Sequence, residues 1–193
     1  MSEFLTIDTG SGIQTQKEEE IFPLPLVDTA HKVLNAPIPE YDETSLPNHY
    51  MSTLIKRLKM TMKLYGGIGI SANQCGVKER VFIIGNENFQ IVCINPKIVE
   101  TGKVNRMREG CLSFPGLTLN VARHESIKVV YYTESGEQKS VDFDGVTAQC
   151  FQHELDHMNG ILFTSHVGSL ALKMAQDKQK KLIRKFKKME KML

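Results

Sequence analysis

Apolar residues fall into helical spacing from Leu46 onward. Tyr50, Met51, Leu54, Ile55, Leu58, Met62 and Tyr65 recur three and four apart, which places them on one face of a helix. Ser45 and Pro47 suit the start of that helix and Gly66-Gly67 its end. The stripe reads as core. The period then shortens. Val81 to Ile84 and Ile91 to Ile94 are short apolar runs joined by Gly85-Asn86-Glu87-Asn88, the pattern of two strands and a turn. Residues 97–108 are polar and lead toward a further strand. Ile127 to Tyr132 and Gln138 to Phe143 flank Glu134-Ser135-Gly136, which predicts a hairpin. Helical signals return at Gly145 and stop at Asn159-Gly160. A last helix is predicted over 169–193, where Ala175, Leu182, Phe186, Met189 and Leu193 follow three-four spacing.

Strands in the middle with helices around them make an α+β chain. At 193 residues, with 41% hydrophobic and 24% charged positions, it has the makings of one soluble domain with a core of its own. No apolar run is long enough to span a bilayer. Residues 1–16 lack the basic start and apolar centre of a signal peptide. A cytoplasmic location is therefore expected. Cys75, Cys93, Cys111 and Cys150 are then thiols or ligands rather than a disulfide framework.

Charge changes the picture at the ends. Residues 1–50 carry nine acids and two bases, while residues 169–193 carry nine bases and two acids. Such asymmetry speaks to partners rather than to fold. Three parts are expected: a flexible extension over 1–20, a folded middle part over 21–168 and a basic C-terminal helix over 169–193. Prolines at Pro23, Pro25, Pro37 and Pro39 keep the start of the middle part extended or turning.

The chemistry centres on Gln152-His153-Glu154-Leu155-Asp156-His157, an H-E-x-x-H pattern. Residues four apart share a helix face, so His153 and His157 can address one metal ion, with Glu154 placed to deprotonate a water. A catalytic metal takes three protein ligands and one open position. Downstream, His166, Asp177 and Glu190 fit poorly as the third ligand. Cys150 shares the helix face, but it lies seven residues from His157, about 10 Å along the axis. It reads as a buried neighbour of the site. Cys111, set in Gly110-Cys111-Leu112-Ser113, can arrive from another element and complete a Cys-His-His set. The glycine-rich stretch Gly67 to Gly76 follows a helix, whereas a dinucleotide-binding fingerprint follows a strand, so that reading is rejected.

Three stretches in this order resemble the peptide deformylases. Gly67-Ile68-Gly69-Ile70-Ser71-Ala72-Asn73-Gln74 is similar to the family pattern G-x-G-L-A-A-x-Q, Glu109 to Ser113 matches E-G-C-L-S, and Gln152 to His157 matches Q-H-E-x-D-H. The likeness covers residues 21–168. Ile70 and Ser71 depart from the usual Leu and Ala, small changes expected to tune the cleft.

The resemblance implies antiparallel sheets packed around a central metal-binding helix, with an N-terminal and a C-terminal helix. It implies removal of the formyl group from N-formyl-methionyl nascent peptides, releasing formate. Cys111, His153 and His157 would hold one divalent ion, ferrous iron in the family, with zinc or nickel after exchange. Glu154 would move the proton. The side-chain amide of Gln74 and the backbone N–H of Leu112 would donate to the oxyanion. Ile68, Val146, Gln149, Cys150 and His153 match positions around the methionine side chain. Gly69 would let the peptide backbone run alongside as an added strand. Glu109 is expected to pair with Arg123 and brace the cysteine stretch, and Asp156 to support the site through a hydrogen bond. The basic tail would meet the ribosome. Neither membrane nor specific DNA is an expected partner. A true endopeptidase and a non-enzymatic module with a closed structural metal are the rival readings.

Overall fold

The structure, a computed structural model, describes residues 20–190. The extension expected over 1–20 lies outside the described residues except for Glu20, as does Leu193. Helix α1 (His49–Leu64) opens at Asn48, whose side chain accepts the Met51 N–H. The cap is thus Asn48, while Ser45 ends a preceding short turn, Glu43–Ser45. At the other end, Gly67 N–H reaches Met62 O and Gly66 N–H reaches Lys63 O. These paired bonds close the helix with Gly66 in the left-handed region, where a side chain would be strained. Met51, Leu54, Ile55, Leu58 and Met62 are buried as expected, but Tyr50 and Tyr65 are exposed. Tyr50 sits at the edge of the apolar face and donates its hydroxyl to Glu79. Tyr65 caps the helix, so its side chain leaves the stripe.

Strands β1 (Gly69–Ser71), β2 (Val81–Gly85), β3 (Gln90–Thr101), β6 (Ser126–Tyr132) and β7 (Gln138–Asp144) form one antiparallel sheet in the order β1-β2-β3-β6-β7. Strands β4 (Val104–Cys111) and β5 (Phe114–His124) form a separate hairpin between β3 and β6. Both differ from the sequence reading: β1 lies within what reads as a glycine loop, and β5 is not anticipated. In β5 the residues Leu117, Leu119, Val121 and Arg123 are buried while their neighbours face outward. That alternation is the strand signal itself.

Helix α2 (Gly145–Met158) carries the H-E-x-x-H motif between the large sheet and the β4–β5 hairpin. Its C-terminus repeats the device of α1, with Ile161 N–H on Asp156 O and Gly160 N–H on His157 O. One core joins α1 to β1 and β2 through Leu54, Leu58, Ile70 and Ile83. A second joins α2 to β2 and β6 through Phe151, Phe82 and Val129. Helix α3 (Ser169–Glu190) packs Leu172 and Ala175 onto Leu117, Leu119 and Val121 of β5, together with Phe163. Its later apolar residues Phe186 and Met189 are exposed. The apolar line of the tail therefore covers the domain in its first half only. The class is α+β with antiparallel sheets around α2. No helix among the described residues is long and apolar enough to cross a membrane.

Candidate metal centre

His153 and His157 lie one turn apart on α2, with ring centroids 4.9 Å apart. Cys111 ends β4 where the chain turns sharply into β5, and this turn delivers its sulfur to the helix. Cys111 Sγ is 3.3 Å from His157 Nε2. The ligand atoms of Cys111, His153 and His157 all lie within 4.8 Å of one another. Bonds of about 2.0–2.3 Å to a tetrahedral ion put two ligand atoms roughly 3.3–3.7 Å apart. One thiolate with two imidazoles at this spacing fits a divalent transition metal.

The electrostatics favour a cation there. His157 is completely buried and held well below the usual imidazole range by its burial and by charge on His153, so it stays in the neutral, ligating form. His153 is also buried, which opposes protonation. Hydrogen bonds to Cys111 and Glu109 overcome that and raise it to about 10. The thiol of Cys111 and the carboxyl groups of Glu109 and Glu154 around His153 make the surroundings favourable to positive charge. His153 Nδ1 lies 3.1 Å from Glu109 Oε2. The carboxylate therefore takes Nδ1–H and leaves Nε2 for the ion, a common support for histidine ligands.

Glu109 is itself gripped by Arg123 through bonds of 2.7 and 3.2 Å. Arg123 Nη1 reaches Asp156 Oδ2 at 2.6 Å, and the same oxygen lies 2.7 Å from His166 Nε2. The expected Glu109–Arg123 brace is present, and it extends from His153 to His166. His166 ends this chain and takes no place among the ligands. Burial would raise Glu109, but its bonds to His153 and Arg123 outweigh it and hold the carboxyl at about 2.

Glu154 is buried, and burial pushes it up to about 7 against the pull of the His153 charge. That is the range in which a carboxylate exchanges protons efficiently near neutrality. Its Oε2 has no hydrogen-bond partner among the described residues. Gly69 makes room for it: a Cβ there would clash with Glu154 Oε1 and meet Cys150 Sγ at 2.7 Å. The Cys150 thiol donates to Ile68 O at 3.2 Å and is raised well above its usual value by burial. It stays protonated beside the site.

Gln74 stands across from the ligands. Its amide oxygen accepts from Ser71 N at 3.0 Å and Ser71 Oγ at 3.1 Å. That fixes the amide so that Nε2 points to Cys111 Sγ at 3.5 Å and Ser113 Oγ at 3.0 Å. The cavity measures about 560 Å³, and it is lined by Ile68, Gly69, Gln74, Cys111, Leu112, Val146, Gln149, Cys150, His153 and Glu154. All the anticipated residues converge on it except His157, which lies beneath. Ile68 and Val146 are exposed on its rim. Gln149 is tied to Arg108 O at 2.9 Å.

Comparison with known proteins agrees with this geometry. The family model for polypeptide deformylase matches residues 23–173. The chain belongs to the polypeptide deformylase family. A peptide deformylase of Prochlorococcus marinus (strain NATL1A) is 42% identical over 121 residues, which cover 59% of this chain and 59% of that protein. The chain thus aligns with somewhat over half the length of that relative. The crystal structure of a Synechococcus elongatus peptide deformylase in complex with actinonin is 35% identical, with a TM-score of 0.76, covering 89% of this chain and 93% of that one. A class I type b peptide deformylase from Acinetobacter baumannii, bound to Met-Ala-Ser, is 31% identical with a TM-score of 0.72, covering 77% of this chain and all of that one, 100%.

The Cys-His-His cluster is the metal site typical of deformylases. Several of its supports are absent from the sequence reading. The Glu109–His153 bond crosses 44 positions and has no local signal. Asn73 donates to His157 O and so pins the end of the ligand helix to the glycine stretch. Ser71, noted only as a departure from the family pattern, holds Gln74.

Proposed function

We propose that this chain removes the formyl group from the N-terminal formyl-methionine of newly made polypeptides, releasing formate. One observation carries the proposal: a Cys-His-His centre, a proton-exchanging Glu154 and the Gln74 amide converge in one cavity beside strand β1. That strand ends the large sheet, and no other strand among the described residues pairs with its outer edge. An extended peptide can pair with such an edge. Met-Ala-Ser bound to the Acinetobacter relative is a peptide of the corresponding kind.

Cys111, His153 and His157 would hold ferrous iron in the cell, and the same donors accept zinc or nickel. Such an ion supplies Lewis acidity and eases deprotonation of water. Glu154 takes the proton of the attacking water and returns it to the departing amine, so water adds across the C–N bond to give formate and a free amine. The amide of Gln74 and the backbone N–H of Leu112 donate to the oxygen that gains charge at the formyl carbon. Ile68, Val146, Gln149, Cys150 and His153 surround the methionine side chain, whose flexible thioether suits a mainly apolar slot of modest size. Residues 21–168 are the catalytic domain. The exposed, lysine-rich part of α3 docks the enzyme on the ribosome, where its polyanionic RNA offers a matching charge. The setting is the cytoplasm.

The test is direct. Metal-loaded protein mixed with formyl-Met-Ala-Ser without oxygen should yield formate and a free amine in equal amounts. Cleavage of internal peptide bonds instead would favour the endopeptidase reading.

A further inference from the structure

A second groove adjoins the catalytic cavity, about 610 Å³ in volume, between the β4–β5 hairpin and the first half of α3. Arg106, Arg108, Lys178 and His166 line it, and no carboxylate does. Among the described residues, Arg106, Arg108 and Lys178 have no acidic partner within salt-bridge distance, in contrast to the braced Arg123. Arg106 and Arg108 alternate along β4, so they project from one face of the hairpin. The groove also receives the first turn of α3 through Gly168 and Ala171. The N–H groups of a first helical turn attract negative charge.

This groove and the catalytic cavity share Arg108, Gly116 and Thr118. The two adjoin at that wall. Gln179 of α3 donates to Pro115 O at 2.7 Å, which holds the helix against the wall common to both. Arg108 and Arg106 stand three and five residues before Cys111 on β4, about 10 and 17 Å along the strand. An extended peptide covers that distance in about three to five residues.

Resting on the deformylase reading, we propose that this groove receives the residues following formyl-methionine and favours acidic side chains among them. The catalytic cavity then selects the first residue, and the β4–α3 groove reads the fourth and fifth by charge.

Formate release from formyl-Met-Ala-Ser-Glu-Glu, its Gln-Gln and Lys-Lys counterparts, and formyl-Met-Ala-Ser tests this. At low salt the Glu-Glu peptide should show kcat/KM about threefold to tenfold above Gln-Gln, as exposed ion pairs provide, expressed in KM. Half-molar salt should erase the difference, since screening falls within a few ångströms. Replacing Arg106→Glu and Lys178→Glu together should bring the Glu-Glu to Gln-Gln ratio to one or below. Equal turnover of all three pentapeptides by the native chain, with formyl-Met-Ala-Ser still processed, overturns the groove and leaves the deformylase reading standing. No formate from any peptide overturns both. A double variant that loses ribosome co-sedimentation while keeping its peptide preference would assign the groove to RNA phosphates and overturn the proposal.

Discussion

Replacing Arg123 by Ala should destabilise the fold far more than any surface charge change. The guanidinium is only 4% exposed and holds two carboxylates, Glu109 at 2.7 Å and Asp156 at 2.6 Å. Glu109 is 3% exposed, so its charge has no water to fall back on. Asp156, at 16%, is partly hydrated and keeps His166 as a partner. The loss therefore falls mainly on Glu109. Removing one partner of a buried pair costs about 3–5 kcal/mol when the remaining charge is poorly compensated, and here Glu109 keeps His153 Nδ1 at 3.1 Å as a partial counterweight. Each kcal/mol moves the midpoint of a domain this size by about 2–4 °C. Arg123→Ala should thus lower Tm by about 6–20 °C, measured by calorimetry on metal-free protein so that metal release does not contribute. Arg123→Lys restores charge without the two-pronged grip, and should lie between the two. A shift under about 2 °C, typical of an exposed pair, would refute the claim that this ion pair is a structural brace.

Cys111→Ala should strip the purified protein of metal, while Cys150→Ala should leave it bound, as elemental analysis would show; full occupancy in the Cys111 variant would remove the ligand assignment. Glu109→Ala should weaken metal binding by about 10–100-fold, as loss of a histidine's supporting partner does, in a competition titration against a chelator; unchanged affinity would mean His153 is oriented by its helix alone. Gly69→Ala should cost at least about tenfold in turnover, because its Cβ would clash with Glu154 Oε1 and displace the base; near-normal kcat would show that Glu154 can shift without loss. Deleting residues 176–193 should weaken ribosome co-sedimentation at low salt while sparing turnover of a short formyl peptide, and unchanged sedimentation would leave α3 as a solvated helix.

What the sequence makes legible here is local. The H-E-x-x-H helix, the β6–β7 hairpin and the apolar face of α1 each rest on spacings within a dozen residues, and each stands in the structure. Cys111 stands out as a better third ligand than His166, Asp177 or Glu190, and the three motifs together point to the family. Tertiary relations are less visible. Nothing near Glu109 announces that it bonds His153 on another element, or that Asp156 passes the network on to His166. The β1 strand is three residues long and reads as loop because Gly69 and the glycines just before it carry no β propensity; it exists because β2 pairs with it. The β5 strand shows in the alternation of Leu117, Leu119 and Val121, and Pro115 and Gly116 within its own first residues obscure the pattern. Tyr65 shows the opposite failure, since its spacing matches the core stripe while the helix ends beneath it.

The central claim is that Glu154 moves the proton for formyl hydrolysis at a centre that Cys111, His153 and His157 hold without it. Formate release per bound metal ion, compared between the native chain and Glu154→Gln at matched metal content, tests it most directly. The account predicts equal metal binding and a loss of about 10²–10⁴ in turnover of formyl-Met-Ala-Ser. A variant that keeps a third of native turnover, or one that cannot be loaded with metal, would contradict it.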